Sequence, residues 1–249
     1  MQGCLLTLTE AASAKPGAPL ARALKSAVGF AAEGNFDQLL AEALRQHAWI
    51  DAAVRLDFDD RGKLAEAERI YRRALGLEPD SSLDATTGAL ADVLPRAELM
   101  RVCDVLASGS NSDIKASQKV AAALAAGGAA ARITSLCDVF LNDKGGPRKS
   151  LMTKSLAAAH PDVDTLLQRT QQRVMDLHEE RCKLQLLDAT LALVRLGDAV
   201  MQRYGAAKAR QAALDFDDLV GKTASLLRSS GAVEWVLYKL DGGLDHILV

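Results

Sequence analysis

Several groups of residues in this chain carry side chains that could do chemistry. Gly221-Lys222-Thr223 has the ending of a phosphate-binding loop, which needs Gly-x4-Gly-Lys-Thr/Ser after a strand so that backbone N–H groups wrap the phosphates. Phe216 stands where the first glycine should be, Asp217 and Asp218 would repel phosphate, and the surrounding pattern is helical. The triplet therefore reads as helix interior with Lys222 exposed. His178-x3-Cys182 puts two metal-ligand types on one helix face, but the sequence offers no second pair. A structural zinc site takes four ligands, so no metal is expected. Asp215, Asp217 and Asp218 are close enough in sequence to bind a divalent cation or form an acid/base pair. They open a helical segment, where carboxylates favour the positive end of the dipole, and no His or other cluster joins them. No residue is assigned as catalytic. The run Lys144-Gly145-Gly146-Pro147-Arg148-Lys149, with Lys154, differs: it puts four cations on a turn and the next helix, a pattern that can track a phosphate backbone.

These residues must be held by helices. Leu20, Leu24, Val28 and Ala31 recur at helical spacing, and Pro19 suits a first turn. Further helical stretches are expected over 36–44, 49–56, 64–75, 94–107, 112–124 and 133–141, with Pro95 opening one and Ser112 or Asp113 capping another. Gly127-Gly128 marks a helix end, and 142–149 is the strongest loop. From Asp162 to about Lys208 apolar positions recur with almost no breaker, which predicts one long helix with Gly197 as a point of bending. Another helix covers 216–227 and a further one 233–240. Residues 246–249, His-Ile-Leu-Val, have strand character, and a lone strand needs a sheet to satisfy its backbone. The segment 1–17 reads as loose.

Two repeats invite over-reading. Residues 65–80 resemble the second helix of a tetratricopeptide repeat, yet no neighbour repeats Tyr-x-x-Ala-Leu-x-x-x-Pro at the required period of about 34 residues. Leu-Asp-Phe-Asp-Asp occurs at 56–60 and 214–218 with unrelated flanks, which is coincidence and not duplication.

Composition agrees with a helical body. The 249 residues are rich in Ala and Leu, roughly a third together, with only 4% aromatics, which excludes an all-β fold. Hydrophobics at 49%, charged residues at 25% and a net charge of −2 argue against disorder. Near-neutrality means that any affinity for nucleic acid must be local. No apolar run is long enough to span a membrane, and Met1–Leu8 lacks the basic region of a secretory signal. Cys4, Cys103, Cys137 and Cys182 are widely spaced, with no CxxC, and are expected as buried thiols of a reducing cytoplasm.

The C-terminal third is more specific. Tyr204-x3-Lys208-x6-Asp215-Phe216-Asp217-Asp218-Leu219, followed after one helix by the run from Trp235 through Leu244-Asp245-His246-Ile247-Leu248-Val249, resembles the UvrD/RecB group of superfamily 1 DNA helicases. Within it, the stretch is most similar to AddA, the helicase–nuclease subunit of bacterial double-strand-break repair. The likeness extends to 140–149, to Ala157-Ala158-Ala159-His160-Pro161-Asp162, to 20–44 and to 71–77, covering roughly 18–249.

The resemblance implies a mainly α fold: a multi-helix accessory subdomain of the 1B type with one long helix, ending in a lone strand of an incomplete RecA-like domain. It implies a helical subdomain over 18–208 and a return into the first motor domain over 209–249. In the family the His-Ile-Leu-Val strand runs into the Walker B box, and the Walker A loop lies upstream of this stretch. Neither box is in this sequence. ATP hydrolysis needs the phosphate cradle, Mg²⁺ and a water-positioning carboxylate together, so this fragment alone is expected neither to hydrolyse ATP nor to unwind or cut DNA. ATP and Mg²⁺ belong to the full-length family protein; DNA and an AddB-like subunit are the implied partners. Lys144, Arg148, Lys149 and Lys154 are the candidate DNA contacts. Tyr204, Lys208, Asp215, Phe216, Asp217 and Asp218 carry the family motif in a structural role. A free-standing helical module of tetratricopeptide type is the alternative.

Overall fold

The computed structural model describes residues 19–31, 65–214 and 216–228, with Asn35, Gln38, Glu42, Trp235, Tyr238 and Lys239. The loose segment 1–17, the helix expected over 36–44 apart from Gln38 and Glu42, the helix expected over 49–56, the strand at 246–249 and Asp215 lie outside the described residues. Every regular element among the described residues is a helix: α1 (Pro19–Ala31), α2 (Ala65–Leu75), α3 (Leu83–Ala91), α4 (Arg96–Ala107), α5 (Asn111–Ala125), α6 (Ala129–Phe140), α7 (Lys154–Ala159), α8 (Pro161–Arg210) and α9 (Phe216–Arg228). One isolated antiparallel bridge joins Leu141 to Pro147. None of these helices is long and apolar enough to cross a membrane. Two compact units divide the chain: Ala12–Asp198, and Met1–Ala11 with Ala199–Val249.

In the larger unit α4 packs on α5, α5 on α6, and α6 on α3. Helical spacing selects the contact faces. Leu99, Val102 and Leu106 of α4, Val120 and Ala123 of α5, and Ile133, Leu136 and Phe140 of α6 are buried together, and the N-terminal part of α8 adds Val163, Leu167, Val174 and Leu177. Each such fully buried large side chain contributes about 1.5–3 kcal/mol. Two buried hydroxyls find backbone partners: the Thr170 hydroxyl donates to the Leu166 carbonyl at 2.8 Å and Ser117 to Ile114 at 2.8 Å.

A second cluster forms further along α8, where Leu184, Leu187, Leu191 and Val194 meet Ala67 of α2 and Leu77 beyond it. So α2 lies on the long helix, and among the described residues no stack of similar helix pairs accompanies it. Its Leu-Gly-Leu-x-Pro ending has a local cause. Gly76 takes φ +64°, the Leu77 amide donates to the Arg72 carbonyl at 2.9 Å and the Gly76 amide to Arg73 at 3.2 Å. That is a Schellman stop sealed by buried Leu77.

The long helix runs unbroken through Gly197. Glycine costs helix stability but does not by itself interrupt the hydrogen-bond ladder. α3 was not foreseen in the sequence. Its two threonines and Gly88 are poor helix formers, but Ser82 caps it by accepting from the Ala85 amide at 3.2 Å, and Leu90 and Ala91 anchor it in the core. The cap of α5 falls at Ser110, two or three residues earlier than the expected Ser112 or Asp113, and Asp113 completes the capping box from its third position.

Candidate nucleic-acid interface

The expected basic loop is a braced turn. The Asn142 side-chain oxygen accepts from the Lys144 amide at 2.9 Å and from the Gly146 amide at 3.1 Å. The Asn142 amide donates to the Gly146 carbonyl at 2.8 Å, and Gly145 supplies the left-handed residue at φ +76°. At the neck, the Arg148 amide donates to the Phe140 carbonyl at 3.1 Å. Gln171 of α8 donates through its side-chain nitrogen to two neck carbonyls, Phe140 at 2.9 Å and Arg148 at 3.0 Å. Lys144 and Lys149 are exposed on this frame and Arg148 is half-buried. Lys154, also exposed, opens α7.

The far end of the segment is clamped by a carboxylate. Asp113, 1% exposed, accepts from the Thr153 amide at 2.8 Å, the Thr153 hydroxyl at 2.7 Å, the Ser110 amide at 2.9 Å and the Ser110 hydroxyl at 2.8 Å. Burial on its own pushes the Asp113 pKa up, but the hydrogen bonds from Thr153 and Ser110 outweigh it and hold the carboxyl below its ordinary value. Gly109 leaves room for this clamp: a Cβ there would lie 2.6 Å from Asp113 Oδ2 and 2.7 Å from Asp113 Cβ.

Folding adds two cations that sequence spacing does not connect to the loop. Lys119 Nζ and Arg148 Nε both donate to the Asp138 carbonyl, at 3.4 Å and 3.2 Å. Lys115, one turn earlier on α5, faces the same cleft as Lys119 and Arg148. Nothing local in the sequence signals this meeting, because α5 and residue 148 come together only through tertiary packing.

Among the family-motif residues, Tyr204, Lys208 and Asp218 come together in the smaller unit. Lys208 Nζ pairs with Asp218 Oδ2 at 2.6 Å and sits 4.6 Å from the centre of the Tyr204 ring. This half-buried pair ties the end of α8 to α9. Phe216 is 78% exposed. Asp217 falls in the first turn of α9. Lys222 is exposed within α9, as the helix-interior reading expects.

His178 and Cys182 gain a third neighbour. Nδ1 of His178 lies 3.8 Å from Cys137 Sγ, and Nε2 lies 3.8 Å from Cys182 Sγ. One imidazole cannot turn both nitrogens to a single ion, and among the described residues no His/Cys/Asp/Glu group is arranged to hold a metal. Burial, aided by the Arg181 charge, lowers the His178 pKa. Burial pushes the Cys137 and Cys103 thiols up, so neither is an activated nucleophile. The expectation of buried cysteines needs correction at Cys182, which is exposed, while Cys103 and Cys137 are half-buried; all three are free thiols.

Compared with known proteins, the chain matches no family model, no curated protein and no solved structure.

Proposed function

We propose that this chain is a DNA-contacting helical accessory subdomain of the kind found in AddA-type helicase–nucleases, serving double-strand-break repair and recombination in the cytoplasm. The observation that carries the reading is the braced basic loop: Lys144, Arg148 and Lys149 stand on a turn fixed by Asn142 and Gln171, with Lys154 just beyond. Cations held on a rigid frame lose less entropy on meeting a phosphate backbone than cations on a loose strand. The Tyr204–Lys208–Asp218 contacts support the structural role that the resemblance gives these residues. The exposed Phe216, Leu219 and Val220 of α9 suit a helix that meets further protein surface, which in this reading is a motor domain. An AddB-like subunit, and ATP with Mg²⁺ for the complete enzyme, belong to the same proposal.

The experiment is a salt titration of binding to a short labelled DNA duplex, followed by fluorescence anisotropy. The chain is expected to bind weakly, with log K falling linearly against log salt. Replacing Lys144, Arg148, Lys149 and Lys154 with Ala should flatten the slope by about 3–4, nearly one unit per lost phosphate contact. An unchanged slope and affinity would remove the loop from the DNA reading.

A further inference from the structure

A cleft of about 310 Å³ opens between α5 and the 148–153 segment, at the low end of small-molecule sites in size. Its polar side carries Lys115, Lys119 and Arg148, together with the hydroxyls of Ser112 and Ser150. Lys119 and Arg148 donate to the same Asp138 carbonyl, which brings their charges within reach of one phosphate. Among the described residues neither terminal nitrogen of Arg148 has a partner; its Nε and backbone groups are engaged. Lys115 has no ion-pair partner among the described residues.

The one carboxylate in the lining, Asp113, is saturated by four hydrogen bonds and turned to its own clamp. Three cations less one carboxylate leave an excess of positive charge that matches a phosphomonoester, which carries close to two negative charges at pH 7. A carboxylate ligand would leave part of that charge unmatched. The remaining walls are apolar, with Val139, Met152 and Leu167 among them. Bare phosphate would leave this surface wet, whereas a sugar and base would cover it.

We infer that the cleft binds a nucleoside monophosphate, with the phosphate held by Lys115, Lys119 and Arg148 and the nucleoside laid on the apolar wall. Such a group occurs as a free nucleotide and as the 5′-phosphorylated end of a DNA strand. The inference shares Arg148 with the DNA reading and does not depend on it.

The test uses the full chain, with calorimetry for affinity and amide chemical shifts for location. The probes are dTMP, thymidine, inorganic phosphate, and single-stranded oligonucleotides with and without a 5′-phosphate. The expected result is that dTMP binds and shifts amides within 112–119 and 150–153, while thymidine does not. The double variant Lys115→Ala and Lys119→Ala should bind dTMP about tenfold or more weakly, with its spectrum otherwise intact because both side chains are exposed. The variant Lys144→Ala, Lys149→Ala and Lys154→Ala should keep dTMP affinity. Competition with dTMP by the 5′-phosphorylated strand alone identifies a strand end as the natural occupant; its absence identifies the free nucleotide. Failure of dTMP to shift those amides, or binding unchanged in the double variant, overturns the inference even if duplex binding persists. Inorganic phosphate binding as tightly as dTMP overturns the nucleoside part. If dTMP binds while duplex DNA does not, the DNA reading falls and the cleft stands.

Discussion

Asp113 occupies a position where helical spacing would place a core side chain, and its charge survives there because every hydrogen bond it needs is supplied by Ser110 and Thr153. Replacing it with Asn keeps the shape but loses charge-assisted bonds and presents a donor to donors. Asp113→Asn should lower stability at neutral pH by about 2–3 kcal/mol in urea unfolding. The pH dependence follows from the lowered pKa. The folded state binds its proton later than the unfolded chain, so the stabilisation is present above the ordinary Asp value and is lost as pH falls through the folded one. The gap between the two proteins should therefore close in strong acid. Ala212 is a second telling residue. The Ala213 amide donates to the Lys208 carbonyl at 3.0 Å and the Ala212 amide to Ala209 at 3.2 Å, the same stop that Gly76 gives α2. Here an alanine takes φ +49°. Ala212→Gly should relieve the strain and stabilise the smaller unit by about 0.5–1 kcal/mol, read as a higher unfolding midpoint.

At the scale of elements, periodicity is a strong guide where the apolar stripe is long. The stretch from Asp162 to Lys208, with apolar residues every three or four positions, is the helix Pro161–Arg210, and Pro95 opens a helix as expected, whereas Gly128, expected with Gly127 at a helix end, is the N-cap of α6, α5 having stopped at Ala125. What escaped were elements that depend on packing. Leu83–Ala91 contains Gly88 and two threonines, and only Ser82 and the core contacts of Leu90 reveal it. Lys154–Ala159, the short helix expected to follow the basic turn, is too short to show a period of its own. The candidate site divides the same way. The loop cations are legible because Gly-Gly-Pro announces a turn, whereas Lys115 and Lys119 join Arg148 only through the meeting of α5 with a segment some thirty residues later. His178 is another product of packing, its ring set between Cys137 from α6 and Cys182 on its own helix. Its lowered pKa means that the unfolded chain takes up that proton first, so stability falls as pH drops below about 6.5 and levels off once the folded His178 titrates. His178→Gln should remove this step from a plot of urea midpoint against pH.

For the molecule as a whole, a net charge of −2 supplies no general attraction to nucleic acid, so the proposed affinity would have to come from where the cations gather. Lys115, Lys119, Arg148 and the exposed loop lysines gather in the larger unit, beside a core that reaches from Leu90 to Leu177. Gln171 belongs to that core's long helix and grips both carbonyls at the neck of the basic loop. Mechanically, this makes the loop the claw of a lever. Under the proposed DNA reading, a pull on phosphates at its tip would be passed through the Gln171 amide to the shaft of α8, so a strand moving past the loop would load the helix as well as the hairpin.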